Sequence, residues 1–140
     1  MAWVVQICQV RRSASVPSVL VHVAAGFPSP ADDYLEQPLD LNELLITHPA
    51  ATFAVRVAGD SMLGAGIFPG DIAVVDRAVT ARDGHVVLAV VDGEFTIKRL
   101  RQRNAEVWLE AENGEYQPIH ISEGMQFEVW GVVRHSIRNH

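Results

Sequence analysis

Apolar and polar positions alternate along the chain from Thr52 onward, and this period of two predicts strands that bury one face. Phe53, Val55 and Val57 fall on the same face of the first strand. Further apolar runs lie at residues 72–75, 86–91, 94–100, 107–109 and 127–133. The pattern therefore predicts a mainly β chain with about six or seven short strands.

Turn residues separate these runs and favour antiparallel neighbours. Asp92-Gly93 lies between two strand-like runs, and a two-residue Asp-Gly connection is the strongest short-range signal for a β-hairpin. Pro69-Gly70 has the central residues of a type II turn. One short helix is predicted at residues 40–46, because Asp40 can accept hydrogen bonds as its N-cap and Pro49 follows it.

Residues 1–38 differ from the rest of the chain, because serine, proline and glycine residues interrupt them repeatedly. Proline lacks a backbone N–H and biases the preceding residue towards extended conformations. Residues 18–25 nevertheless form one β-like run. We interpret residues 1–38 as an extended N-terminal arm and residues 39–140 as a compact β-rich domain. A disordered leader is the alternative for the first segment.

The size and charge of the chain exclude several classes of protein. Of its 140 residues, 49% are hydrophobic, so the chain can bury a core without metals or disulfides. The net charge is −6 (11 − 17), whereas proteins that coat nucleic acid are usually basic. No direct sequence-specific DNA binding is therefore expected.

The sequence also bears on compartment and cofactors. Cys8 is the single cysteine, no apolar stretch reaches the roughly 18 residues of a membrane span, and residues 1–12 do not follow the order of a secretory signal. The six histidines lack the spacing of zinc ligands. We therefore expect a cytoplasmic chain with no membrane association, no metal and no cofactor.

Lysine occurs once in this chain, at Lys98, whereas arginine occurs ten times. A buried lysine can lose its proton, and an arginine cannot. The single lysine therefore indicates a group that deprotonates, although a solvated charge on an edge strand is the ordinary alternative. Moving a lysine pKa from about 10.4 to about 7 costs about 4.6 kcal/mol, and burial among apolar side chains can produce such a shift.

Ser61 lies in Gly59-Asp60-Ser61-Met62, a loop that follows the strand beginning at Thr52. Such a loop can present a hydroxyl beside free backbone N–H groups, here those of Ser61 and Met62, which would hold an oxyanion. A serine nucleophile needs a base, and a neutral lysine amine can serve as one. Taken alone, this serine is also compatible with an ordinary turn.

Ser61 and Lys98 are 37 residues apart (98 − 61), and the surrounding residues 59–62 and 93–99 resemble the LexA/UmuD family of self-cleaving serine–lysine peptidases. Residues 26–34, 40–46 and 91–98 resemble UmuD-like members in particular. The resemblance covers roughly residues 22–135. It implies the compact peptidase domain of that family, with Ser61 as the nucleophile and Lys98 as its general base.

The resemblance also implies a cleavage site. In this family the scissile bond follows a small residue and precedes glycine, which Ala25-Gly26 matches. UmuD-like members have cysteine before the glycine, so alanine is a departure towards the LexA-type choice. A flexible joint is the alternative interpretation of these two residues.

Three partners follow from the same resemblance. The chain is expected to form a homodimer. The RecA–single-stranded DNA filament is expected to stimulate cleavage during the SOS response. The cleaved chain is expected to act as an accessory subunit of a UmuC-like, error-prone translesion DNA polymerase.

Two other functions share part of this pattern. A serine–lysine peptidase that processes other proteins, such as a membrane signal peptidase, would use the same pair of residues, but no membrane anchor is evident. A catalytically silent interaction module would keep the fold and lose the chemistry. The presence of Ser61, Lys98 and Ala25-Gly26 together argues against such a module.

Overall fold

The structure is a computed structural model that describes residues 2–6, 15–16 and 38–140. Met1–Gln9 and His48–His140 form one unit, and Val10–Thr47 forms another. The boundary at residue 38 stays a prediction. Within the described ranges, no helix is both long and apolar enough to cross a membrane.

The described residues contain ten strands, whose bounds are β1 Ala2–Gln6, β2 Ser15–Val16, β3 Leu39–Asp40, β4 Thr52–Val57, β5 Ile72–Asp76, β6 Val86–Val91, β7 Glu94–Arg103, β8 Glu106–Glu110, β9 Ile119–Ile121 and β10 Phe127–Ile137. Eight of them form one curled sheet in the order β1-β4-β5-β10-β6-β7-β8-β9. Every neighbouring pair in this sheet is antiparallel. The predicted mainly β fold is confirmed.

The smaller unit contains the β2–β3 pair and the one α-helix of the described residues, α1 (Leu41–Leu45). The Asp40 carboxylate accepts hydrogen bonds from the backbone N–H groups of Asn42, at 2.9 Å, and Glu43, at 3.4 Å. The predicted helix and its N-cap are therefore confirmed. The helix ends before Pro49, because Ile46 has an extended backbone and caps the last turn.

Strands β6 and β7 form the predicted hairpin. Asp92 and Gly93 both have positive φ values, 47° and 84°, which a type I′ turn requires. The turn sets the register of the pair, in which Val91 lies opposite Glu94 and Val87 lies opposite Lys98. The side chain of Lys98 therefore shares a face of the sheet with that of Val87.

Apolar side chains pack into two clusters. The first contains the alternating residues of β4 and others: Phe53, Val55, Val57, Met62, Ile67, Ala73, Val75, Leu88 and Ile97. The second contains Val87, Ala89, Leu100, Leu109 and Val132. Because Leu88 and its neighbours in β6 belong to different clusters, both faces of that strand are buried.

Strand β7 lies between β6 and β8, so Lys98 is not on a sheet edge. Lys98 as a whole residue is 9% exposed. The alternative of a solvated edge lysine is therefore wrong. The neighbouring Arg99 points to the other face, where its Nε donates to a Glu112 carboxylate oxygen at 2.6 Å.

A buried carboxylate fixes the turn before β5. The Asp71 side chain is 1% exposed and accepts hydrogen bonds from Arg138 Nε at 2.8 Å and from the Phe68 N–H at 2.9 Å. The backbone of residues 68–71 closes through an Asp71 N–H to Phe68 carbonyl bond of 3.1 Å, with Gly70 at φ 89°. This geometry agrees with the predicted type II turn.

Replacing Arg138 by glutamine removes the cation from the Asp71 carboxylate and is expected to lower the thermal midpoint at neutral pH by roughly 5–10 °C. The Arg138 hydrogen bond lowers the pKa of Asp71 below its ordinary value. The unfolded chain therefore binds this proton first as pH falls, so the stabilisation is full above about pH 4 and is lost as pH falls through the lowered pKa. Thermal unfolding at several pH values measures both effects.

Arg134→Gln is the matched control, because Arg134 is exposed and forms no ion pair with any described residue. Equal midpoints for the two variants at neutral pH would contradict this account of Asp71.

Candidate active site

Ser61 is held in the loop that follows β4. Gly59 has a φ of 83°, so the chain turns sharply after the strand. The next residue after the serine, Met62, is 3% exposed and packs in the first apolar cluster. Its carbonyl accepts hydrogen bonds from the N–H groups of Ala65, at 3.0 Å, and Ile67, at 3.2 Å. The loop is thus anchored immediately behind the serine.

The amino group of Lys98 lies beside this loop. Its Nζ is 2.9 Å from Ser61 Oγ, 2.7 Å from Thr96 Oγ1 and 3.2 Å from the Ile97 carbonyl oxygen. Thr96 and Lys98 are two residues apart in one strand and therefore share a face of the sheet. The structure brings together the two side chains that the sequence singled out.

All three oxygens around Lys98 Nζ are uncharged. Within the described part of the chain, no acidic side chain forms an ion pair with this lysine. Burial disfavours the ammonium form and lowers the pKa of Lys98 below its ordinary value. The site therefore favours a neutral amine more than the surface of a protein does.

The backbone N–H groups of Ser61 and Met62 lie outside the strands. Neither donates a hydrogen bond to any residue that the structure describes. Two free donors next to a serine hydroxyl can hold a developing negative charge on a carbonyl oxygen.

A cavity of about 470 Å³ opens beside Lys98. Its lining includes Thr96, Phe95, Tyr116 and Ile119 as well as the lysine. A cavity of about 550 Å³ is lined by the other face of β7, at Arg101 and Arg103, and by Trp108. Of these two cavities, the one beside Lys98 is the relevant one, because it reaches a residue of the Ser61–Lys98 pair and the other does not.

Asn113 and Tyr116, which the sequence did not predict as site residues, contact the loop that carries Ser61. The Tyr116 hydroxyl donates to Asp60 Oδ1 at 2.5 Å, and Asn113 Nδ2 donates to the Asp60 carbonyl oxygen at 2.9 Å. The sequence also did not predict the contact between Thr96 Oγ1 and Lys98 Nζ. Nothing in the sequence links Asp60 to residues more than 50 positions away.

Two further questions from the sequence concern the cleavage site and metal ligands. Ala25 and Gly26, the predicted cleavage site, lie outside the described residues. Within the described segments, no group of three or more His, Cys, Asp or Glu side chains could hold a metal ion.

Comparison with known proteins identifies the family. The Peptidase S24-like family model matches residues 17–134. MucA of Salmonella typhimurium is 42% identical over 130 residues, which cover 92% of this chain and 88% of MucA. SamA of the same organism is 44% identical over 120 residues, covering 86% and 83%. ImpA of Escherichia coli is 58% identical over 79 residues, covering 56% and 54%. The chain therefore belongs to the Peptidase S24-like family, which confirms the resemblance to serine peptidases of the LexA/UmuD kind.

Proposed function

We propose that this chain is a self-cleaving serine peptidase in which Ser61 attacks the Ala25–Gly26 bond and Lys98 acts as its general base. One observation carries the proposal: the Lys98 amino group is buried, has no carboxylate partner among the described residues, and lies 2.9 Å from Ser61 Oγ. A nucleophile within hydrogen-bond reach of a base of lowered pKa is the arrangement that serine catalysis needs.

The three contacts of Lys98 match the hydrogen-bonding capacity of a neutral amine. A neutral amine has two N–H donors and one lone pair. Thr96 Oγ1 and the Ile97 carbonyl oxygen accept the two donors, at 2.7 and 3.2 Å. The lone pair then faces the Ser61 hydroxyl, from which it would take the proton. Thr96 thus accepts a hydrogen bond from the Lys98 amine and also orients that amine towards Ser61.

The proposed reaction is acyl transfer followed by hydrolysis. The Lys98 amine takes the Ser61 proton while Oγ bonds to the Ala25 carbonyl carbon, and the N–H groups of Ser61 and Met62 hold the resulting oxyanion. Collapse breaks the bond to Gly26, whose nitrogen receives the proton from Lys98. Neutral Lys98 then takes a proton from a water molecule while the water oxygen attacks the ester carbonyl. The ester bond to Ser61 breaks, and Ser61 Oγ regains its proton from Lys98.

The proposal that cleavage occurs at the Ala25–Gly26 bond rests on the small size of these two residues. Alanine fills a shallow pocket, and glycine lets the backbone approach the nucleophile closely. The cavity beside Lys98 has apolar walls at Phe95 and Ile119, which suit an extended segment with small or branched side chains. The preceding residues Val21 and Val23 have β spacing and would lie along such a surface.

The cellular role follows from the resemblance to UmuD-like proteins. A RecA–single-stranded DNA filament would stimulate cleavage by favouring the state in which the arm occupies the site. The product, residues 26–140, would act as a homodimeric accessory subunit of a UmuC-like translesion DNA polymerase during SOS mutagenesis. These partners act on DNA, so the proposal places the chain in the cytoplasm.

Variants of the two central residues test the mechanism. Ser61→Ala and Lys98→Arg are expected to reduce self-cleavage by roughly 10³-fold or more. The first variant lacks the nucleophile, and the second has a guanidinium that cannot lose its proton and so cannot act as a base. The measurement is the intact mass of purified full-length chain over time, with and without RecA filament. Wild type is expected to yield a fragment of 115 residues (140 − 25).

Ser122→Ala serves as the control, because Ser122 is exposed and its backbone, not its hydroxyl, bonds to Met125. If wild type stays intact in alkaline buffer and with RecA filament, the chain is an interaction module and the peptidase proposal is wrong.

The pH dependence of cleavage follows from the burial of Lys98. Because burial lowers its pKa, the neutral amine becomes populated at a lower pH than in an exposed lysine. We expect the first-order rate constant to rise about tenfold per pH unit and to level off below about pH 10.4. Cleavage rates from neutral to strongly alkaline pH measure this profile. A rate that does not change with pH would exclude a lysine base.

A bulky residue at the proposed bond tests the cleavage site. Ala25→Trp is expected to slow cleavage by about 10²-fold or more, because a small residue must bring its carbonyl against Ser61 Oγ. Ala31→Trp, in the same segment of sequence, is the control and is expected to cleave normally. Mass spectrometry identifies the bond that is cut. Unchanged cleavage of the Ala25→Trp chain would show that the bond lies elsewhere.

A further inference from the structure

The segment between β8 and β9 makes three hydrogen bonds to the loop that carries Ser61. Asn113 Nδ2 donates to the Asp60 carbonyl oxygen at 2.9 Å, and the Tyr116 hydroxyl donates to Asp60 Oδ1 at 2.5 Å. The Gly64 N–H donates to the Glu112 carbonyl oxygen at 2.7 Å. We call residues 112–116 the holding segment. Its contacts lie on both sides of Ser61 in the sequence, at the preceding residue and three residues later.

The approach at Gly64 requires glycine. A Cβ atom at this position would lie 2.7 Å from the Glu112 carbonyl oxygen, which is closer than real Cβ contacts allow. The obstructing atom is backbone, so it cannot turn aside as a flexible side chain would. The loop and the holding segment are therefore packed as closely as the backbone permits.

The holding segment is itself fixed to the strand that carries the lysine. Arg99 Nε donates to Glu112 Oε1 at 2.6 Å, and Arg99 Nη1 donates to the Gly84 carbonyl oxygen at 2.7 Å. Within the segment, Asn113 Oδ1 accepts from the Glu115 N–H at 3.1 Å. Since Arg99 directly follows Lys98, one strand positions both the base and the holding segment, which in turn contacts the loop of the nucleophile.

We propose that the holding segment positions Ser61 for attack, with Asn113 and Tyr116 as positioning residues that act through Asp60. This inference depends on the proposed role of Ser61 as nucleophile. Neither residue contacts Ser61 Oγ or Lys98 Nζ, so neither is a catalytic residue. Both instead restrain the residue directly before the serine.

The physical reason is that a nucleophile is sensitive to small displacements. A shift of about 1 Å in a reacting group can cost on the order of 10²-fold in rate. Met62 anchors the loop after the serine, through burial in the core. The holding segment supplies the anchor before it, since Asp60 is only half-buried and accepts bonds from Asn113 and Tyr116.

The hydrogen bond to Asp60 also affects the protonation of the Tyr116 hydroxyl. Its hydrogen bond to Asp60 raises the pKa of the Tyr116 phenol above its ordinary value, and the nearby Glu115 acts in the same direction. The Tyr116 hydroxyl therefore keeps its proton to a higher pH than an ordinary phenol, whereas the Lys98 amine, which lines the same cavity, loses its proton at a lower pH than an ordinary lysine.

Two nearly isosteric variants test the proposal. Tyr116→Phe removes only the hydroxyl. Asn113→Asp replaces the Nδ2 donor by oxygen and keeps the Oδ1 acceptor of the Glu115 N–H. Each is expected to lower the plateau rate of self-cleavage by about tenfold, without moving the pH at which the rate levels off. Labelling of Ser61 by a fluorophosphonate probe is expected to slow by the same factor, because the probe reads the serine directly.

Controls separate positioning from general stability. Asn104→Asp is the match for Asn113→Asp, since Asn104 lies in the exposed β7–β8 turn. Asp60→Asn keeps an oxygen acceptor for the tyrosine and is expected to retain most of the rate, whereas Asp60→Ala is not. Thermal midpoints of the variants are expected to stay within about 3 °C of wild type, because Tyr116 is exposed.

The inference is overturned if Ser61→Ala is inactive but Tyr116→Phe and Asn113→Asp cleave and label within twofold of wild type. It is also overturned if cleavage slows while labelling does not, because Tyr116 would then act on the bound arm through the cavity wall. Continued cleavage by Ser61→Ala is a different result, which removes the proposed function and the inference with it.

Discussion

The contact between the buried Lys98 amino group and Ser61 Oγ, at 2.9 Å, constrains the rest of the site. An ammonium ion at this position would lie among uncharged oxygens with no described carboxylate to balance it. Desolvation of that charge is costly, and the cost falls if the proton leaves. The features that hold Lys98 out of water therefore also make its amine available to accept a proton.

Strand β7 organises this arrangement through its alternation. One face presents Thr96 and Lys98 towards the serine loop, and the opposite face presents Arg99 to Glu112. The type I′ turn at Asp92-Gly93 sets the register of β7 against β6, so it also sets which residues occupy each face. A shift of one residue would exchange the lysine and the arginine and would remove the base from the site.

The sequence predicted those parts of the structure that depend on local pattern. Alternation from Thr52, the Asp92-Gly93 turn and the Asp40 cap each specify their element within a few residues, and all three are confirmed. Strand β9 was missed, because its three residues are too few for an alternating pattern to be recognised. Tyr116 was missed for another reason. Its partner Asp60 is 56 residues away, and only the folded sheet brings the two together.

The charge state of Lys98 is the quantity on which the account depends, and it can be measured directly. Lys98 is the only lysine, so lysine labelled with ¹³C at Cε gives a single side-chain signal in the NMR spectrum of the Ser61→Ala chain. Its shift, followed against pH, reports the pKa of the amine. The account predicts a midpoint clearly below the ordinary lysine value of about 10.4 in the folded chain and a return to that value on unfolding in urea. A midpoint at or above the ordinary value in the folded chain would contradict a buried lysine base.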